Sequence, residues 1–136
     1  WHMYLASWMI LASISMLALQ GSFAKLAFFA GAMSAVAAAL CVLQLVNPRE
    51  TKSVQMIFGM SIVGCAMCGL AYDPSHVVPA IAWSLPIASI PLSAIAYFLC
   101  KGKYRAVLSL TIIALFVMGA VCWAIFTAPE VDELWP

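Results

Sequence analysis

Residues 23–52 read FAKLAFFAGAMSAVAAALCVLQLVNPRETK. After Lys25 no charge appears until Arg49, and then Arg49, Glu50 and Lys52 crowd into one short loop. The run Phe23–Val46 exceeds the roughly 20 residues that a helix needs to cross about 30 Å of hydrocarbon. Asn47-Pro48 then closes it, because the residue before a proline is pushed out of the helical region.

The same punctuation repeats outward from this stretch. Met3–Leu19 precedes it, separated by the turn-like break Gln20-Gly21-Ser22. Val54–Tyr72 follows, stopped by Asp73-Pro74-Ser75-His76. Val77–Cys100 comes next, then Lys101-Gly102-Lys103-Tyr104-Arg105, then Ala106–Thr127 and the acidic tail Ala128–Pro136. The chain is 66% hydrophobic and 8% charged, with a mean hydropathy of +1.08. No strand-like alternation runs through these lengths, and helices satisfy their own backbone in lipid. The expected fold is all-α: a polytopic transmembrane helical bundle of about five spans, at 3–19, 23–46, 54–72, 77–100 and 106–127, with residues 1–136 forming one integral membrane domain. Four spans is the alternative. Residues 3–46 as one straight helix would run roughly 66 Å at about 1.5 Å per residue, so the alternative lays Met3–Leu19 in the interface. That run has no charged face to rest among headgroups, which argues for five. It also lacks a basic leader region and reads as a span rather than a signal peptide.

Basic residues in short loops set the expected orientation. Lys101–Arg105 carries three of them and Arg49–Lys52 carries two, whereas the Asp73–His76 loop and the tail carry none. With five spans the N-terminus and the Lys101–Arg105 loop are cytoplasmic and the C-terminus is outside. Lys25 is the exception, and its long stem can snorkel to the interface. Trp1, Tyr4, Tyr72, Tyr97, Tyr104, Trp123 and Trp135 are expected at the interfaces, which amphipathic rings favour. Trp8 and Trp83 lie deeper and fit this pattern poorly.

Helix association in lipid relies on close packing of small residues. The second span carries such a stripe at Ala27, Ala30, Gly31, Ser34, Ala38 and Cys41, opposite Phe29, Met33, Val36, Leu40 and Leu43, which are expected to face lipid. The third repeats it at Ser61, Gly64, Cys65, Cys68 and Tyr72. Spans two and three are therefore expected to be the central packing helices, either within one chain or at a subunit interface. The fourth span holds Pro79 in its first turn and Pro86 and Pro91 inside, with Ser89 and Ser93 one turn apart. Interior prolines each remove a backbone hydrogen bond and tend to kink a helix. Pro86, Ser89, Pro91 and Ser93 would line the path of a transporter built on a broken helix. With no intramembrane carboxylate, a kinked packing helix is the expectation.

Chemistry is sparse. Cys65-x-x-Cys68 places two thiols on one face, but His2 and His76 sit at opposite expected sides, so neither a four-ligand zinc site nor a two-histidine haem site assembles. The serines within the spans lie far from both histidines, so none is expected to have a base to activate it, and no phosphate loop appears. No enzyme activity, metal or cofactor is expected. Lipid, quinone or pigment between helices would leave no mark in such apolar sequence. A net charge of +1 offers no surface for nucleic acid. The five cysteines lie in or beside apolar runs, unlike a secreted disulfide framework. The leading expectation is an accessory or structural subunit of a larger membrane complex, with the bilayer and other membrane subunits, or a second copy, as partners. The alternatives are a small oligomeric channel or transporter lined by the fourth helix, and a membrane immunity, lysis or phage-defence protein.

Overall fold

The computed structural model describes residues 1–47, 52–72, 78–100, 102 and 104–127, residues 52 and 53 by their backbone only. Five helices follow in order: α1 (His2–Gln20), α2 (Ala24–Val46), α3 (Lys52–Tyr72), α4 (Ala80–Leu99) and α5 (Arg105–Thr127). All five are long and apolar enough to cross a membrane, and the chain is an integral membrane protein built as an all-α bundle. Their bounds lie within three residues of the runs read from sequence. The Asp73–His76 loop with its histidine and the acidic tail lie outside the described residues, as do Lys101 and Lys103.

The break between the first two runs is a Schellman turn. The Phe23 amide donates to the Ala18 carbonyl at 2.8 Å and the Ser22 amide to the Leu19 carbonyl at 3.2 Å. Ser22, not Gly21, takes the left-handed conformation, with φ of 61°. Gly21 avoids a close contact: a Cβ there would stand 3.0 Å from the Phe23 ring, which would have to give by a few tenths of an ångström. The turn sends α2 back antiparallel along α1, so the first run packs as a helix of the bundle, as five spans require.

The start of α4 differs from the sequence reading. Pro79 is the N-cap, with φ of −55° and ψ of 139°, rather than a first-turn residue. Val78 precedes a proline, which disfavours the helical conformation there. Beyond that point α4 runs unbroken through Pro86 and Pro91 to Leu99.

The centre of the bundle is α1, which touches all four other helices. The expectation that spans two and three are central is corrected accordingly. Tyr4, Leu11, Ile14, Leu17 and Ala18 of α1 are fully buried. The mean hydropathy of α1, 1.5, is as low as that of α4 and below the 2.3 of α2 and 2.4 of α5. A central helix meets other helices rather than lipid, so it tolerates Ser7, Ser13 and Ser15. Tyr4, in the first turn of α1, faces the bundle and packs edge-on against Phe58 of α3, with ring centroids 6.0 Å apart. Trp8, by contrast, turns outward and is exposed.

Candidate functional site

The small stripe of α2 is spent inside the chain, against α1. Its buried members are Ala27, Ala30, Ser34, Ala37 and Cys41. Gly31 and Ala38, both named from sequence, lie half-buried at its edge, and Ala37 was missed. Three hydrogen bonds from side chains to backbone carbonyls lock the pair. Ser15 Oγ donates to the Ala27 carbonyl at 2.8 Å, Ser34 Oγ to the Trp8 carbonyl at 3.3 Å, and Cys41 Sγ to the Trp1 carbonyl at 3.6 Å. These contacts step by seven residues along both helices, in opposite directions, which is the period of a left-handed antiparallel pair. On the far side Phe29, Val36 and Leu43 are exposed, while Met33 and Leu40 are half-buried against the core.

The stripe of α3 behaves differently. Cys65 is buried and Ser61 half-buried, whereas Gly64, Cys68 and Tyr72 are exposed. The two cysteines therefore do not share an environment, and both are free thiols. Nothing lies within 4 Å of a Cβ built on Gly64. Beside it Met56, Met60 and Met67 are 65, 65 and 53% exposed, and Val63 is exposed between them. These four fall at i, i+4, i+7 and i+11, one continuous outward ridge. Sequence reading by small residues alone passed over the methionines.

The contact that fixes α3 to α4 is Gly69 under Trp83. Trp83 is 1% exposed, and a Cβ on Gly69 would fall inside the indole at Cε3, Cζ3 and Cη2. This explains the deep tryptophan that fitted no interface. Its Nε1 is buried with no hydrogen-bond partner among the described residues.

In α4, Pro86, Ser89 and Ser93 are buried and Pro91 is exposed. The hydroxyls bond the backbone of their own helix: Ser89 Oγ to the Pro86 carbonyl at 2.6 Å and Ser93 Oγ to the Ile90 carbonyl at 2.9 Å. Prolines 86 and 91 withdraw donors from the carbonyls of Ala82 and Ile87, so these serines do not serve the freed groups. Ser93 borders a cavity.

That cavity, of about 350 Å³, lies between α1, α3, α4 and α5. Its walls are mostly apolar, with Ala6, Ile10, Ile62, Ile90 and Ile113 among them. Polar groups gather where these helices begin or end. The His2 ring stacks on Tyr97 at 5.6 Å between centroids and 19° between planes. The Arg105 guanidinium stands 4.7 Å from the Tyr97 ring centre, a cation–π contact. Gln55 and Ser109 also line the cavity, and neither side chain has a hydrogen-bond partner among the described residues. Sequence reading set His2 aside because it paired it only with His76; the aromatic partner on α4 was not visible. Lys25, exposed at the start of α2, borders an open groove with Cys68 and Tyr72 at the other end of the bundle. Among the described residues no three His, Cys, Asp or Glu side chains come together as a metal site would need.

No family model matches the chain, and neither a curated protein nor a solved structure resembles it significantly.

Proposed function

We propose that this protein is a structural subunit of a larger membrane complex, docked to a partner transmembrane helix through the outer ridge of α3. One observation carries the reading: Met56, Met60, Val63 and Met67 form an exposed ridge beside Gly64, where a backbone can approach closely. In lipid the hydrophobic effect does not drive such docking, so close packing must, and an open glycine supplies the room. Methionine side chains are flexible and polarizable and adapt to an apposed helix. The equivalent small stripe on α2 is already occupied by α1, which leaves α3 as the docking face. The basic residues of Arg49–Lys52 and Lys101–Arg105 support a cytoplasmic position for the end of the bundle where α1, α3 and α5 begin.

A photo-crosslinking residue placed at Met60 or Met67, with Val42 on the outer face of α2 as control, tests this in native membranes. The expected product joins this chain to a different membrane protein from the α3 positions only. Adducts to lipid alone at all three positions, or to a second copy of this chain, contradict it.

A further inference from the structure

Four helices each send a hydrogen-bonding side chain to one end of the cavity, and the body of the cavity is mostly apolar, with Ser7 and Ser93 in its wall bonded to their own helix backbones. His2 comes from α1, Gln55 from α3, Tyr97 from α4 and Ser109 from α5, with Arg105 of α5 standing over Tyr97. We propose that this cavity binds the apolar chain of a single amphiphile whose anionic head, a carboxylate or a phosphate, is held by that collar.

The collar is rich in donors. A guanidinium has donors and no acceptor, and the amide and hydroxyls of Gln55, Ser109 and Tyr97 also donate. Gln55 and Ser109 have no partner among the described residues, and an oxygen-rich head gives them one. Charge-assisted bonds to Arg105 make an anion a better occupant than a neutral head. Size limits the rest of the ligand. At about 350 Å³ the cavity is at the lower end of small-molecule sites, which run from about 300 to 1,000 Å³, so it takes one chain. His2 and Ile10 both line it, and eight residues of helix rise roughly 12 Å, so the chain reaches well into the hydrocarbon layer. Gly59 on α3 keeps the wall open, because a Cβ there meets nothing within 4 Å.

The test titrates the full chain, in a neutral maltoside detergent, with dodecyl phosphate, dodecanoate and uncharged dodecanol, and reads bound equivalents by native mass spectrometry. One saturable equivalent of an anionic probe is expected, with dodecanol about ten-fold weaker. Preference for the phosphate assigns a phospholipid-derived ligand and preference for the carboxylate a fatty acid; either supports the site. Gly59→Leu should fill the cavity and abolish binding, with an unfolding temperature at or above that of the wild type. Arg105→Gln, at the exposed collar, should weaken the anionic probes about ten-fold and leave dodecanol unchanged. The proposal is overturned if dodecanol binds as tightly as the anions, if no equivalent saturates, or if a folded Gly59→Leu binds normally. It is equally overturned if Arg105→Gln leaves the preference for anions intact, a result that does not depend on how Gly59→Leu folds.

Discussion

Ser34 of α2 donates its hydroxyl to the Trp8 carbonyl of α1 at 3.3 Å, midway between the Ser15–Ala27 and Cys41–Trp1 contacts that flank it. This position is both polar and close-packed, so the two ways of altering it separate. Ser34→Ala removes only an interhelical hydrogen bond and should cost about 0.6 kcal/mol, the typical membrane value. Ser34→Leu forces the helices apart and should cost about 1–3 kcal/mol. Reversible unfolding in mixed micelles measures both.

Gly69 and Trp83 form the second close approach. Gly69→Ala should destabilise by about 1–3 kcal/mol, since the added methyl displaces a buried indole. In a Trp83→Leu background the same change should cost far less. A double-mutant cycle by thermal unfolding reads this coupling, and additive effects would show that the two residues do not meet.

How much of this was legible follows from which signals are local. Span number and bounds are written in runs of apolar residues, and charges mark their ends, so five helices could be read directly. The α2 stripe was readable because small residues recur at helical spacing, although Ala37 was hidden in the alanine run 37–39. The partner of that stripe was not readable, because nothing local says that α1 rather than α3 lies against it. The all-round apolar character of α1, with its three serines, was the available signal for a central helix. Trp83 over Gly69, and His2 over Tyr97, join residues far apart in sequence, and no periodicity within one helix encodes such pairs.

The α1–α2 turn yields a prediction of opposite sign. Ser22 holds a φ of 61°, a conformation that costs a side-chain-bearing residue about 1–2 kcal/mol. Ser22→Gly should therefore stabilise the protein by up to about 1 kcal/mol. Gly21→Ala should destabilise it, because its methyl meets the Phe23 ring. Unfolding temperatures of the two variants should move in opposite directions.

The open glycines of α3 contrast with Gly69. Gly59→Ala and Gly64→Ala each add a methyl where nothing lies within 4 Å, and each should raise the stability of the isolated chain by about 0.5–1 kcal/mol, because alanine favours the helix. A loss of stability at either position would mean that the α3 surface is closely covered within the chain.

The central claim, docking through the α3 ridge, is tested most directly by native mass spectrometry of the complex extracted from its own membranes in mild detergent, wild type beside Gly64→Leu. The wild-type chain should travel with other membrane proteins. Gly64→Leu should be folded and stable yet released as a single chain. A wild-type chain that emerges alone, or a Gly64→Leu chain that keeps its partners, contradicts the account.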